Sequence, residues 1–446
     1  DKSTYYISLG YNNEQSVVKP SGFERITARI NYDSYVTKNI KIGTNTNFSR
    51  TYRNVSSNDN NPTGVINSAI FPRSYVPIFN VDGTYNRAGS FDNHLALINN
   101  LDNNAVGWRT ISNLFAEISI IPGLKFKSSF NIDNNDMFEN NYSNTLIVAG
   151  IAAKGSATSI ANKALYLTNE QVLTYVKRIN GKHTHDINAL VGNTFNTVKI
   201  QNTNATGQGF ATNNIKAISD AATRSGSSSR SEANLISYFA KASYTLDNKY
   251  TLDASIRADA SSKFGVDNRW GYFPSAGFTW RASEEKFIQN LNIFDELKFR
   301  GSIGLSGNQN GIGPYAALGL WSSGYNYLET AGTAPTQLEN RNLTWETTRQ
   351  ADIGVEFSIL KKLLNFNIDF YNKYTYDLLL QVPTPSPTGF TSYLQNYGAV
   401  RNKGVEIAVT SNNVNTNDFS WTTTFNISFN RNKIEKLASD IALGAS

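Results

Sequence analysis

The sequence has no cysteine and a single methionine, and only 17% of its 446 residues are charged. The missing cysteine excludes a disulfide framework and any thiolate metal site. It does not fix a compartment, because many periplasmic and outer-membrane proteins also lack cysteine. Long hydrophobic runs are absent as well. The longest, Leu146 to Ala153, is far short of the ~18 residues that a membrane-crossing helix requires. The first residues, from Asp1 onward, do not read as a secretory leader. Charge imbalance is small: 41 Lys and Arg against 35 Asp and Glu leave a net +6. The basic residues are scattered along the chain rather than clustered, which argues against nucleic acid as a partner.

Asparagine and aromatics are plentiful instead. There are 57 Asn, 31 Gly and 23 Tyr, and aromatics make up 12%. So many aromatics exclude disorder, and so much Asn and Gly excludes a mainly helical fold. Length alone allows two to four domains or one large barrel. Two-residue alternation decides between them. Tyr250, Leu252, Ala254, Ile256 and Ala258 oppose Thr251, Asp253, Ser255, Arg257 and Asp259. Trp421, Thr423, Phe425, Ile427 and Phe429 oppose Thr422, Thr424, Asn426, Ser428 and Asn430. Strand side chains alternate across a sheet, so each segment has one apolar and one polar face. The same reading gives about fifteen strands, near 3–11, 23–33, 38–51, 108–120, 123–134, 164–178, 183–198, 232–246, 249–262, 271–282, 296–306, 343–358, 363–376, 401–411 and 419–431.

Short and long connections alternate between these strands. Links such as 121–122, 179–182, 247–248 and 359–362 are tight, whereas 52–107, 135–163, 199–231, 307–342 and 377–400 are long. A β-sandwich gives no reason for that alternation, but an up-and-down membrane barrel does, with tight periplasmic turns and long outer loops. Nothing in the sequence covers the apolar faces, since the one plausible amphipathic helix is the short Phe91–Leu101 inside a long link. Lipid is then the covering phase. Tyr250, Trp280, Phe357 and Trp421 are expected to form an aromatic girdle near the tight turns, with Trp345 in its counterpart near the long loops. The polar faces, with Lys298, Arg300, Glu346, Asp352, Glu356 and Glu406, then line an interior too wide for side chains alone to fill.

Five runs, in order along the chain, resemble the SusC/RagA-type TonB-dependent transporters of Bacteroidota outer membranes. They are S-L-G-Y-N-N-E-Q-S-V-V-K-P-S-G-F-E-R-I-T-A-R-I-N-Y-D (Ser8 to Asp33), W-G-Y-F-P-S-A-G-F-T-W-R-A-S-E-E-K-F (Trp270 to Phe287), L-K-F-R-G-S-I-G-L-S-G-N-Q-N (Leu297 to Asn310), N-L-T-W-E-T-T-R-Q-A-D-I-G-V-E-F (Asn342 to Phe357) and Y-G-A-V-R-N-K-G-V-E-I (Tyr397 to Ile407). One departure is His94, where the family usually has proline after Asn93. The resemblance implies an all-β, transmembrane antiparallel up-and-down β-barrel of 22 strands in the cell outer membrane. It also implies a plug domain and TonB box ahead of the barrel, and a SusD-like lipoprotein lid. The expected activity is TonB-dependent import of oligosaccharide or peptide nutrients. Residues 1–446 are therefore expected to be a partial barrel, with plug, TonB box and the last barrel strands outside them; the end at Leu443-Gly-Ala-Ser carries no closing aromatic strand. A homodimeric pair of barrels is a further family expectation. The alternative is a passive porin-like or structural barrel without TonB coupling.

No catalytic or cofactor constellation appears, and no enzyme activity is expected. His183-Thr-His185 places two imidazoles on one strand face, but no third metal ligand is suggested by spacing. Gly311-Ile-Gly-Pro-Tyr-Ala316 mimics a dinucleotide fingerprint without a βαβ context, and Ser306 does not sit in a nucleophile elbow. Aromatics at loop bases and tips remain as candidate contacts for an extracellular substrate or partner: Trp108, Trp270, Tyr272, Trp321, Tyr325 and Tyr327.

Overall fold

The computed structural model describes residues 2–56, 64–87 and 91–437. Asp1, part of the 52–107 link and the Leu443-Gly-Ala-Ser end lie outside the described residues. The elements run β1 (Ser3–Gln15), β2 (Gly22–Tyr35), β3 (Ile40–Asn54), α1 (Val65–Ile70), α2 (His94–Asn100), β4 (Leu101–Ile121), β5 (Leu124–Ser143), α3 (Val148–Ile151), β6 (Ser156–Asn180) and β7 (Thr184–Gln208). They continue β8 (Thr223–Leu246), β9 (Tyr250–Ser261), β10 (Trp270–Arg281), α4 (Lys286–Gln289), β11 (Phe294–Asn308), β12 (Leu320–Ser323), β13 (Thr333–Gln337), β14 (Glu346–Ile359), β15 (Leu364–Tyr376), β16 (Leu379–Pro383), β17 (Ser392–Asn396), β18 (Ala399–Asn415) and β19 (Ser420–Lys436).

Fifteen of these strands hydrogen-bond in chain order, β1 to β11, then β14, β15, β18 and β19. The two remaining pairs, β12–β13 and β16–β17, are small hairpins inside the 309–345 and 377–398 links. The chain divides into two compact units. One holds Asp1–Glu117, Ser129–Asn169 and Asn196–Glu232; the other holds Ile118–Ser128, Glu170–Phe195 and Ala233–Ser446.

In the first unit, β2 pairs β1 with Ile7 opposite Ile30 and Leu9 opposite Ala28, so the apolar sets share one face. In the second, three cross-strand rows continue the pattern: Phe357, Phe366, Val409 and Phe425; then Val355, Ile368, Ile407 and Ile427; then Ile353, Phe370, Val405 and Phe429. These side chains are not buried against a second layer. Ile353 is 69% exposed and Leu9 83%. The buried clusters gather at the long links instead.

Tight turns close the other end. At Asp247-Asn248 both residues take left-handed dihedrals (φ 51° and 56°) and Lys249 N–H donates to the Leu246 carbonyl at 2.8 Å, the geometry that matches strand twist in two-residue hairpins. Gly123 supplies the positive φ after Pro122.

Several strands run further toward the long links than hydropathy indicates. β6 and β7 each have 25 residues, or roughly 80 Å of strand at ~3.3 Å per residue. A bilayer needs only ~9–11. Beyond the hydrocarbon both faces are wet, so stretches such as Gln201-Asn202-Thr203-Asn204 lose their apolar marking while the backbone ladder continues.

Ile353→Arg on the apolar face is expected to destabilise the protein by ~2–4 kcal/mol, read as a lowered urea midpoint for refolding into bilayers. Asp352→Asn, on the opposite face of the same strand, is expected to shift that midpoint far less.

Candidate functional site

The polar face of the second unit carries a connected set of charges. Arg300 on β11 donates to Glu356 on β14 (2.7 Å) and, on β15, to Asn367 (2.9 Å) and Asp369 (2.6 Å). Lys298 reaches the other oxygen of Glu356 at 2.6 Å. These residues meet because β11, β14 and β15 are neighbours in register, with Arg300 opposite Gly354 and Gly354 opposite Asp369. Gly354 leaves room for the guanidinium: a Cβ there would lie 2.4 Å from Arg300 Nε. A concavity of about 710 Å³ opens beside them, lined by Lys241, Asp253, Ser255, Ser275, Arg300 and Asp352 among others. Its walls offer hydrogen-bond donors and acceptors of both signs.

At the long-link end the same unit has a compact junction. Phe264, Phe273, Ile312, Ala316, Ala317, Leu343 and Trp345 form a buried cluster. Phe273 stands edge-on to Trp345 at 5.5 Å, and glycines flank its ring. A Cβ at Gly307 would lie 2.1 Å from Phe273 Cζ, and one at Gly271 2.5 Å. Trp345 Nε1 donates to the Arg269 carbonyl at 2.8 Å. Asn396 clasps Thr344, accepting from its N–H (2.8 Å) and donating to its carbonyl (2.7 Å). Lys263 donates to the Ile312 carbonyl at 3.2 Å, and burial lowers the pKa of its ammonium. Three of the motif segments that carried the family resemblance, Trp270 to Phe287, Leu297 to Asn310 and Asn342 to Phe357, thus meet here. The junction also corrects the girdle reading of Trp345: the side chain is 6% exposed, because the chain bends inward before β14 begins. Gly311–Ala316, read as loop glycine, contributes Ile312 and Ala316 to the same core.

In the first unit the long link between β3 and β4 is organised by two adjacent polar residues. Asn93 caps α2, accepting from Leu95 N–H (2.9 Å) and Ala96 N–H (3.2 Å), and donates to the carbonyls of Ile78 (2.6 Å) and Asn86 (2.9 Å). His94 takes the first helical position, where proline is tolerated only because the amide there has no helical partner. Its substitution for proline leaves the helix start intact. Asp92, 1% exposed, accepts the Val148 N–H with both oxygens (2.8 and 3.1 Å). Burial raises its pKa, against the opposing Val148 bond and the Arg87 charge.

The six candidate aromatics separate into two kinds. Trp321 (68% exposed), Tyr325 and Tyr327 (77%) stand together on the β12–β13 hairpin and its tip. Trp270 stacks on Tyr238 at 6.2 Å, and Tyr272 follows it on the apolar face of β10. Trp108 lies within β4, 5.7 Å from Phe48 and under Arg50. The two strand histidines each have their own partner: His183 Nδ1 lies 2.7 Å from Asp247 Oδ2, and His185 Nδ1 2.7 Å from Tyr244 OH. The His183 bond, with the Thr184 N–H, holds the Asp247 carboxyl below the usual carboxylate range. Among the described residues no three His, Asp or Glu side chains converge as a metal set. Position at a loop base marks Trp270 and Tyr272 in the sequence but not Phe273, Gly271 and Gly307, whose contact is invisible without the β10–β11 register.

Sequential antiparallel strands with an apolar outer band, tight turns at one end and long structured loops at the other define a transmembrane up-and-down β-barrel. Residues 22–442 match the family described as TonB dependent receptor-like, beta-barrel, and the chain belongs to that family. Its members are outer-membrane transporters and receptors rather than enzymes. The chain is 33% identical to TonB-dependent receptor P3 of Formosa agariphila over 98% of its own length and 45% of that protein's. It is 28% identical to TonB-dependent receptor SusC of Bacteroides thetaiotaomicron, over 97% and 46%. The solved RagAB peptide transporter superposes with a TM-score of 0.85 at 25% identity, covering 98% of this chain and 50% of that one. This chain therefore spans about half the length of the relatives it matches.

Gly307→Ala is expected to cost ~1–3 kcal/mol by overpacking Phe273, with partial recovery when combined with Phe273→Leu; thermal unfolding midpoints of the two variants test it. The raised Asp92 pKa carries a sign. As pH rises through the ordinary carboxylate range the unfolded link ionises first, so the folded link loses stability until the folded pKa is passed. Hydrogen exchange at Val148, corrected for intrinsic rates, is expected to show that dependence in the native protein. Asp92→Asn, which keeps an acceptor, is expected to flatten it.

Proposed function

We propose that this chain forms wall and outer loops of a TonB-dependent active importer. It would take up oligosaccharide or peptide nutrients captured by a SusD-like surface lipoprotein. The observation that carries this reading is the likeness, along 97–98% of the chain, to both SusC and the RagAB peptide transporter. The concavity beside Arg300 supports it by setting charged and hydrogen-bonding groups, among them Lys241, Asp253, Arg300 and Asp352, into a lining that is otherwise partly apolar. Coupling to TonB needs a plug and TonB box, which we place outside residues 1–446, as the relatives' greater length allows. Trp321, Tyr325 and Tyr327 are the residues we assign to the lid or substrate, and two such barrels pair in the membrane.

A passive porin-like barrel is the competing reading, and energy dependence separates the two. A strain lacking the gene is expected to lose growth on one class of oligosaccharide or peptide, and removal of TonB function is expected to abolish the same uptake. Uptake that survives loss of TonB but not of the gene supports the passive barrel; uptake unaffected by loss of the gene refutes both. The Trp321→Ala, Tyr325→Ala, Tyr327→Ala triple variant is expected to weaken lipoprotein or substrate binding by about tenfold or more, measured by co-purification and titration.

A further inference from the structure

The apolar face of β14, β15, β18 and β19 changes character abruptly toward the long links. Above the row Ile353, Phe370, Val405 and Phe429, the next two rows on the same face contain Lys403 opposite Arg431, then Arg349 opposite Tyr374, Arg401 opposite Tyr374, and Lys433 opposite Arg401. Five cations from β14, β18 and β19, with Tyr374 of β15 between them, thus share one outward patch. Glu435 is the acidic group within it, bonded to Arg401 (3.0 Å) and Lys433 (3.2 Å). Arg401 also lies over the Tyr374 ring at 4.7 Å. Arg349, Lys403 and Arg431 are exposed and make no ion pair among the described residues. At the tight-turn end the same face carries Ile359, Leu364, Ser411 and Thr423, without charge.

A surplus of cations facing outward immediately beyond an apolar band is costly unless anions meet it there. The polar interior cannot neutralise it, because strand parity points these side chains the other way. In a membrane protein the groups at that level are lipid head groups, and long arginine and lysine side chains reach them from the edge of the hydrocarbon. Guanidinium forks match phosphate oxygens in pairs. We infer that this patch is a binding site for the phosphate of an anionic glycolipid in the outer leaflet, with Arg349, Lys403 and Arg431 as its unpaired ligands and Arg401, oriented by Tyr374 and Glu435, beside them. The site belongs to the lipid boundary and is independent of the transported substrate.

The test uses the full-length protein, purified in detergent and exposed to monophosphoryl lipid A, with bound lipid counted by native mass spectrometry. Native protein is expected to retain the lipid, and the R349Q/K403Q/R431Q variant to retain at least about tenfold less, since each surface cation contributes about fivefold. Heat-modifiable migration on gels reports that the variant is folded. Should it not fold, K403Q alone is expected to show about a fivefold loss, and the charge-preserving R349K/R431K to bind nearly as the native protein does. The inference fails if the neutralised protein retains as much lipid as the native one. It fails equally if K2Q/K38Q/K182Q, at tight-turn strand ends, loses as much, or if the dephosphorylated lipid is retained equally well. Inorganic phosphate that binds as tightly as the lipid would mark a free-anion site instead and overturn the lipid assignment.

Discussion

Every backbone amide that enters hydrocarbon must find its partner within the protein, and between β1 and β19 this chain meets that requirement by pairing each sheet strand with the next sheet strand along the chain. In-order antiparallel pairing fixes the rest. It forces turns at alternate ends, so that one end is free to carry long insertions while the other stays tight. It also aligns side-chain parity from strand to strand, because a slip of one residue would turn a whole apolar set toward water. The rows running from Ile353 to Phe429 are the visible result.

The same pairing brings distant motifs together. Phe273, Gly307, Trp345 and Asn396 are far apart in sequence, yet they meet at one junction beneath the long links. Side chains there are buried as they would be in a soluble protein, whereas the strands expose their apolar faces. Three of the five runs that carry the family resemblance therefore include packing and hydrogen-bonding residues at loop bases. They hold the loop bases in place.

Most of the architecture was legible in the sequence. Alternation found all fifteen sheet strands, and link lengths separated the two ends, because both signals are local. Legibility failed where locality did. Strand ends beyond the membrane carry Asn and Thr on both faces, so their extent was underestimated on β5, β6, β7 and β8. The hairpins β12–β13 and β16–β17 are too short for periodicity to show. Trp345 followed the parity of its strand on paper but lies just before the strand starts, where the chain turns inward. Basic residues that look scattered along the chain gather into one patch only when Lys403 is set opposite Arg431. Of the site, the exposed aromatics on the β12–β13 hairpin could be picked from the sequence, but the Arg300 network could not, since it depends on three strands in register.

That register also governs how such a chain can change length. One residue inserted within Ser420–Phe429 would carry Arg431, Lys433 and Glu435 across to the water-facing side and turn Asn430 and Asn432 toward lipid. Two residues would restore parity and only lift the strand end. Insertions and deletions should therefore accumulate in the parts of the 309–345 and 377–398 links away from the buried junction, such as the tips of the β12–β13 and β16–β17 hairpins, and within strands they should come in pairs. The history of the protein's outer loops is in this sense decoupled from that of its wall: a link can change length without disturbing the face that meets the membrane.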